Sequence, residues 1–198
     1  MFARTDRLLL RPGWLEDAPA LARAIGDEAV VRGLARAPWP YGEAEASAFL
    51  DQPTAPDQPR LLIFARTGAA PRLVGGCGIA PGPDDGLELG YWIARPYWGL
   101  GFATEAGRQL VRIAHAMKLP KLTAGHFVDN PASGAVLRKL GFRPTGRVVP
   151  RHSLARGGEA PCALFEQGDG DGSDAVTPMR GRVGFDEDFR GELRLMAA

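Results

Sequence analysis

The sequence contains few cysteines, few lysines and no long apolar run. Its two cysteines, Cys77 and Cys162, are too few for a disulfide framework and do not form a zinc-binding pattern. We therefore expect a reduced, cytoplasmic protein with no bound metal. The apolar stretch near the N-terminus has only three leucines before Arg11 and Pro12, which is too short for a signal peptide. No apolar run approaches the ~20 residues that a membrane-spanning helix needs.

The sequence also lacks an excess of charge of either sign. The chain has 24 basic and 23 acidic residues, a formal net charge of +1. This balance predicts neither a nucleic acid nor a membrane surface as a partner. Only three of the basic residues are lysines, and we attribute that bias first to genome composition.

Length and composition favour a single globular domain. The 198 residues are 45% hydrophobic and 24% charged, enough apolar material for a sizeable core. After Gln167 the composition shifts towards glycine and aspartate. We therefore expect one domain over residues 1–167 and a C-terminal tail over residues 168–198.

Apolar periodicity and turn signals predict strands and helices along most of the domain. The predicted strands are residues 7–11, 61–65, 73–79, 87–93, 122–128, 147–152 and 160–165. The predicted helices are residues 17–25, 43–51, 102–117 and 130–140. The turn sequence Pro-Gly-Pro-Asp-Asp-Gly at 81–86 predicts that the strands on either side of it are antiparallel neighbours.

The most informative stretch is Arg-Pro-Tyr-Trp-Gly-Leu-Gly-Phe-Ala-Thr-Glu at 95–105, between a predicted strand and a predicted helix. The first N–H groups of a helix have no partner within it, and the helix dipole adds positive charge there, so a diphosphate suits this position. Gly99 and Gly101 would let the backbone approach the phosphates, and Arg95 could add a charged hydrogen bond. The alternative is that the glycines only shape a turn.

Two other phosphate-binding loops fit this stretch less well. A Walker loop needs Gly-Lys followed by Ser or Thr, which the stretch lacks. A dinucleotide-binding fingerprint needs a third small residue where Thr104 stands, and the strands before the stretch are predicted to be antiparallel.

Four segments in this order resemble the GNAT superfamily of N-acetyltransferases, and within it the ribosomal-protein N-terminal acetyltransferases. They are Glu-Leu-Gly-Tyr-Trp-Ile at 88–93, the stretch at 95–106, Asp-Asn-Pro-Ala-Ser at 129–133 and Leu-Arg-Lys-Leu-Gly-Phe at 137–142. The opening Thr-Asp-Arg-Leu-Leu-Leu-Arg-Pro at 5–12 resembles that branch as well. The resemblance covers roughly residues 4–166.

The resemblance implies an α+β fold (an α/β sandwich) of the acyl-CoA N-acyltransferase type. Its mixed, mostly antiparallel sheet would have about seven strands flanked by about four helices, with two neighbouring strands splayed apart. It also implies acetyl-CoA as co-substrate. The acetyl group would pass directly, in a ternary complex, to a primary amine of a protein N-terminus or a small molecule.

The resemblance also implies a set of cofactor-binding residues. In the family pattern Q/R-x-x-G-x-G/A, Trp98 takes the first position and Gly101 and Ala103 take the small ones. The diphosphate would bind amides of residues 99–104, and the pantetheine arm would pair with the strand edge near residues 91–94. The expected cofactor-binding residues are Trp92, Ile93, Arg95, Trp98, Gly99, Leu100, Gly101, Phe102, Ala103, Thr104, Asn130 and Ser133.

Acetyl transfer to an amine needs a base, because a protonated amine cannot attack a thioester. Glu88 is one candidate, since strand alternation places it on one face with Gly90 and Trp92; the alternative is a solvated glutamate. His152 is a second candidate because an imidazole titrates near neutral pH; the alternative is a surface histidine beside Arg151.

The predicted helix that starts at Asn130 carries two further candidate site residues, Asn130 and Ser133. The resemblance implies that Ser133 hydrogen-bonds the CoA sulfur and that Asn130 contacts the pantetheine amides. Helix capping alone would also explain Asn130. A tyrosine acid after this helix, common among relatives, is not expected, because the chain's three tyrosines precede it: Tyr41, Tyr91 and Tyr97.

The acceptor side is the least determined part of the sequence. Trp39 and Tyr41 lie in a loop rich in proline and aromatic residues and are the candidates for binding the acceptor; alternatively, they only fasten the loop. Because neither base is unambiguous, a CoA-binding regulatory module without turnover is the rival hypothesis. The sequence leaves open whether the protein is a monomer or a homodimer.

Overall fold

The computed structural model describes residues 1–67, 70–82 and 86–168. The centre of the turn predicted at 81–86 lies outside these residues, and so does the tail beyond Gly168. Within the described ranges, every helix is too short or too polar to cross a membrane.

An eight-stranded sheet forms the centre of the domain. Its strands are β1 (Ala3–Arg4), β2 (Leu8–Arg11), β3 (Arg60–Ala65), β4 (Arg72–Pro81), β5 (Leu87–Ile93), β6 (Leu122–Phe127), β7 (Phe142–Ser153) and β8 (Gly158–Gln167). Their order across the sheet is β1-β2-β3-β4-β5-β6-β8-β7. All neighbours are antiparallel except β5 and β6, which are parallel. The expected mixed, mostly antiparallel sheet is confirmed, with one strand more than the expected seven.

Within the described ranges, five α-helices flank the sheet: α1 (Ala18–Ile25), α2 (Glu28–Val31), α3 (Glu43–Asp51), α4 (Phe102–Ala116) and α5 (Pro131–Lys139). The four predicted helices are confirmed, with ends that differ by a residue or so. The fifth, α2, is a single turn whose N-terminus is capped by the Asp27 carboxylate, which accepts a hydrogen bond from the N–H of Ala29. So short a helix gives no apolar periodicity from which to predict it.

The core has two layers because alternate side chains of each strand point to opposite faces of the sheet. On the α4–α5 face, Leu89 of β5 packs with Leu110 of α4 and Leu137 of α5. On the α1–α3 face, Leu21 of α1 packs with Phe64 of β3, and Trp92 of β5 lies against this cluster. Burying one leucine of this kind contributes about 1.5–3 kcal/mol, so these two layers hold the helices to the sheet.

The last two strands are longer than predicted. β7 extends five residues before and one residue after the predicted 147–152, and β8 also extends past its predicted ends. Most of β7 is exposed on both faces and its pairing with β8 shifts register between Pro144 and Val148. This exposed stretch therefore lacks the alternation of apolar and polar residues that would predict a strand.

The parallel strands β5 and β6 pair only where they begin, at Leu87 with Leu122 and at Glu88 with Thr123. Beyond these residues they diverge and leave an opening, here called the β5–β6 gap. The N–H of Ala94 donates to the carbonyl of Val74 on β4 (2.9 Å). Since backbone groups alternate in direction along a strand, those of Tyr91 and Ile93 point away from β4, into the gap. The implied splay of two neighbouring strands is present.

Candidate active site

The stretch between β5 and α4 is shaped by two glycines with left-handed backbone. Gly99 has φ +76° and Gly101 has φ +80°, values that other L-residues adopt only at a cost. Gly101 is the N-cap of α4 and has no side chain to cap the helix. The glycines therefore shape the turn and also leave the helix N-terminus uncovered.

The uncovered amides belong to residues 101–104. The first hydrogen bond of α4 runs from the N–H of Glu105 to the carbonyl of Gly101 (3.1 Å). No acceptor for the four N–H groups before it is found among the residues that the structure describes. A Cβ atom at Gly99 would meet no heavy atom within 4 Å, and one at Gly101 would meet only the Arg7 guanidinium at 3.5 Å. Four N–H donors at a helix N-terminus, with no acceptor among the described residues, can bind an anion.

Arg7 fastens this stretch to the start of β2. Its Nη1 donates to the carbonyl of Leu100 (3.0 Å), its Nε donates to the Glu105 carboxylate (2.7 Å), and its guanidinium lies over the ring of Phe102 (4.7 Å). Burial raises the pKa of Glu105, but hydrogen bonds from Thr5 and Arg7 and the charge of Arg7 outweigh it and hold that pKa below its usual value. Nothing local in the sequence marks Arg7 as a site residue, because its partner Glu105 lies 98 residues further along the chain.

Trp98 and Arg95 have partners that the sequence does not reveal. The indole of Trp98 is half exposed, and its Nε1 donates to the carbonyl of Ile93 (2.7 Å) at the end of β5. Arg95 is exposed and lies 3.5 Å from the carboxylate of Asp27, beside α2. Arg95 thus links the loop after β5 to the start of α2.

Trp92, expected among the cofactor-binding residues, has its indole and its backbone carbonyl on the side of β4. Its indole lies over Gly76 of β4, where a Cβ atom would be 2.6 Å from the indole nitrogen. Its backbone carbonyl also points to β4, towards Gly75. The strand edge in the β5–β6 gap is formed by Tyr91 and Ile93 instead, because Trp92 has the opposite alternation.

The start of α5 lies beside the β5–β6 gap. Asn130 caps the helix: its side-chain oxygen accepts a hydrogen bond from the N–H of Ser133 (3.3 Å), and Pro131 takes the first helical position. The capping interpretation of Asn130 therefore holds. The same cap fixes the first turn of α5 and with it the position of Ser133.

Tyr91 reaches across from β5 to this first turn. Its hydroxyl lies 2.9 Å from the hydroxyl of Ser133 and 2.9 Å from the Ser133 carbonyl. Burial raises the pKa of Tyr91 to about 12, although the hydrogen bond with Ser133 lowers it. The position of Tyr91 before α5 in the chain argues against a tyrosine acid at this place. The parallel pairing of β5 and β6 brings the two residues together.

Glu88 forms an ion pair with Arg151 of β7. The Nη1 of Arg151 donates to Oε1 of Glu88 at 2.7 Å, and the two side chains are only 16% (Glu88) and 20% (Arg151) exposed. Burial lowers the pKa of Arg151, but the hydrogen bond and charge of Glu88 outweigh it and hold that pKa above its usual value. In the described part of the chain, no hydrogen bond to the other oxygen of Glu88, Oε2, is found. Glu88 is therefore an oriented carboxylate rather than a solvated one.

His152 is not brought to Glu88. It is exposed on β7, paired in register with Glu159 of β8. The neighbouring Arg151 points towards Glu88, so His152 points to the opposite face of the sheet. Of the two candidate bases, Glu88 alone makes a side-chain hydrogen bond within the part of the chain that the structure describes.

The two aromatic candidates for the acceptor side differ in exposure. Trp39 is 42% exposed. Tyr41 packs against the α1–α3 core, and burial, together with the charge of Glu45, raises its pKa to about 12. Tyr41 therefore fastens the loop, whereas Trp39 presents an open aromatic surface. No group of three or more potential metal ligands is found within the described ranges.

Comparisons with known proteins agree with this geometry. Residues 7–143 match the family described as acetyltransferase (GNAT) domain. An uncharacterized N-acetyltransferase p20 from Bacillus licheniformis is 28% identical over 156 residues, which are 72% of this chain and 82% of that protein.

Solved structures show the same fold. A GNAT-family acetyltransferase from Bacillus anthracis has a TM-score of 0.70 at 20% identity, covering 84% of this chain and 97% of that one. RimL, a ribosomal L7/L12 alpha-N-protein acetyltransferase in complex with coenzyme A, has a TM-score of 0.66 at 18% identity, with coverages of 84% and 97%. With the strand splay and the uncovered helix N-terminus, these matches show that the chain belongs to the GNAT family and is an acetyl-CoA-dependent acetyltransferase.

Proposed function

We propose that the protein moves an acetyl group from acetyl-CoA to a primary amine, on a protein N-terminus or a small molecule, by direct transfer in a ternary complex. One observation carries the proposal: the four N–H groups of residues 101–104 have no acceptor among the described residues and lie where β5 ends. The diphosphate of acetyl-CoA supplies the anion that such a position favours.

The cofactor would then run along the β5–β6 gap. The backbone groups of Tyr91 and the N–H of Ile93 face this gap and can pair with the amides of the pantetheine arm, as a strand edge pairs with a peptide, whereas the Ile93 carbonyl already accepts a hydrogen bond from the Trp98 indole. That RimL, which has the same fold, is described as a complex with coenzyme A supports coenzyme A as the ligand of this fold.

Glu88 is the proposed general base. Arg151 holds one carboxylate oxygen, which leaves the other to take the amine proton directly or through a water molecule. Because an arginine cannot release its proton near neutral pH, Arg151 orients Glu88 and does not act as the acid. His152, which points to the other face, is not needed for this step.

Ser133 is proposed to stabilise the sulfur as it leaves. Attack by the amine forms a tetrahedral centre, and its collapse breaks the carbon–sulfur bond with the electron pair passing to sulfur. A hydroxyl and a helix N-terminus are both suited to a developing thiolate. Ser133 offers both, because it stands in the first turn of α5.

Direct transfer is favoured over an acetyl-cysteine intermediate. Both cysteines are buried, and burial raises the pKa of Cys77 to about 12 and also raises that of Cys162. The thiolate is the nucleophilic form of cysteine, so neither side chain is prepared for attack on a thioester.

The acceptor is proposed to lie on the α1–α3 face, near Glu88 and the exposed ring of Trp39. An aromatic surface beside prolines can receive the first residues of a peptide or a small amine. The description of RimL as an alpha-N-protein acetyltransferase supports testing protein N-termini first.

The test is a transfer assay with the full chain, acetyl-CoA and a panel of amines: peptides with free or blocked α-amino groups, and small polyamines. Release of the CoA thiol and the mass of each amine are measured. We expect thiol release that requires a free amine, with one acetyl group gained by that amine. Binding of acetyl-CoA without turnover of any amine would favour a regulatory module, and acetyl found on the protein itself would contradict direct transfer.

A further inference from the structure

We infer that Tyr91 is a positioning residue for acetyl transfer: its hydroxyl turns the hydroxyl of Ser133 towards the β5–β6 gap, where the CoA sulfur departs. This inference rests on the proposed function and assigns a role to the side chain of Tyr91. It starts from one contact, the pair of 2.9 Å distances from the Tyr91 hydroxyl to the hydroxyl and carbonyl of Ser133.

The contact limits how the two hydroxyl hydrogens can be arranged. A tyrosine hydroxyl has one hydrogen, which can go either to the Ser133 carbonyl or to the Ser133 hydroxyl. When Tyr91 donates to the carbonyl, the Ser133 hydroxyl can donate its own hydrogen bond to the tyrosine oxygen. When Tyr91 donates to the Ser133 hydroxyl, that group's own hydrogen is free to point into the gap. A developing thiolate in the gap favours the second arrangement.

In that arrangement the two hydroxyls act in series. Tyr91 donates to Ser133 while Ser133 donates to sulfur, and each hydrogen bond polarises and strengthens the other. The carbon–sulfur bond breaks, sulfur keeps the electron pair, and the proton of the amine leaves by way of Glu88. Neither hydroxyl gives up its proton, so no phenolate has to be neutralised afterwards.

The acidities agree with hydrogen bonding rather than full proton transfer. Burial raises the pKa of Tyr91 to about 12, whereas an ordinary thiol has a pKa of about 8.5. A proton on Tyr91 is therefore held more tightly than one on sulfur. This explains how a tyrosine can assist a leaving thiolate without being the acid that relatives place after this helix.

Both hydroxyls are held in place by the packing around them. The ring of Tyr91 packs against the α4–α5 core. Next to Ser133, Gly134 lies against the ring of His126 on β6, where a Cβ atom would be 2.6 Å from the ring nitrogen. The first turn of α5 is thus fixed from both strands that border the gap, and a fixed donor is more effective than a mobile one.

The first test replaces Tyr91 with phenylalanine, which keeps the ring and removes the hydroxyl. We expect kcat to fall about 10-fold with little change in KM for acetyl-CoA, because the bond assists only a charged leaving group. Ser133→Ala should lose at least as much, and the double variant should lose little beyond Ser133→Ala alone, because the two residues act in series. Thr145→Val is the control: it also removes one hydroxyl, on the exposed strand β7, where that hydroxyl bonds only the Leu164 carbonyl and a nearby N–H among the described residues, and the variant should keep wild-type kcat.

A second measurement separates a role at sulfur from a merely structural one. The affinities of wild type and Tyr91→Phe for CoA and for desulfo-CoA are compared by calorimetry at pH 9, where the CoA thiol ionises. We expect Tyr91→Phe to weaken CoA about 5- to 10-fold and to leave desulfo-CoA unchanged. Thermal unfolding of both proteins monitors the fold.

Two results would overturn the inference. One is a Tyr91→Phe variant with wild-type kcat, and the other is an equal loss of affinity for CoA and desulfo-CoA. Either result leaves the proposed function intact as long as the wild-type protein acetylates an amine. Absence of turnover by the wild type would instead count against the proposed function itself.

Discussion

Replacing Gly101 with aspartate is expected to weaken acetyl-CoA binding about 100-fold. Gly101 has a left-handed backbone and stands directly before the free amides of α4. A carboxylate there would lie within a few ångströms of the diphosphate, and two like charges at that distance repel by a few kcal/mol even with substantial screening. The affinity is measured by calorimetric titration of acetyl-CoA into each protein.

The matched control is Gly101→Asn. Asparagine has nearly the same shape as aspartate and, like it, tolerates a left-handed backbone, but it carries no charge. We expect this variant to lose only about 10-fold, the effect of crowding the phosphates without repelling them. If the two variants lost the same affinity for acetyl-CoA and unfolded at the same temperature, the charge at this position would not face the diphosphate.

Replacing Glu88 with glutamine is expected to lower kcat about 10²- to 10³-fold at neutral pH, the usual effect of removing a general base. Glutamine keeps a side-chain oxygen that can accept the hydrogen bond from Arg151, so the fold should be preserved. The loss should shrink as the pH rises to about 9, because an α-amino group with an ordinary pKa of about 8 then deprotonates without a base. A pH series of kcat for both proteins measures this.

Glu159→Gln is the control for this prediction. Glu159 is exposed on β8 and pairs in register with His152, on the sheet face opposite to Glu88, so its variant removes the same charge away from the proposed site. We expect its kcat to match the wild type over the whole pH range. If Glu88→Gln also matched the wild type, Glu88 would be only the structural partner of Arg151, and the proposed base would be wrong.

The elements that the sequence predicts well are those with a local physical signal. Apolar periodicity places α4, Pro131 after Asn130 marks the start of α5, and the two glycines before Phe102 predict an open helix N-terminus. Each of these signals lies within a few residues of the feature that it predicts. The single turn α2 and the exposed length of β7 carry no such signal.

The contacts that organise the candidate site join residues far apart in the chain. Arg7 meets Glu105, Glu88 meets Arg151, and Tyr91 meets Ser133 across separations of 98, 63 and 42 residues. A single sequence does not indicate which arginine faces which carboxylate. Tyr91 shows the effect most clearly: its place before α5 in the chain argued against a role, whereas the strand order places it beside Ser133.

The four N–H groups of residues 101–104 are the proposed diphosphate site, and their NMR resonances can be followed directly. We would titrate ¹⁵N-labelled protein with acetyl-CoA and record the amide ¹H–¹⁵N spectrum. Hydrogen bonding to a diphosphate predicts that these four amide protons move downfield, further than those at the far end of α4. If acetyl-CoA binds while the chemical shifts of these four amides do not change, the diphosphate lies elsewhere and the glycines serve only to shape the turn.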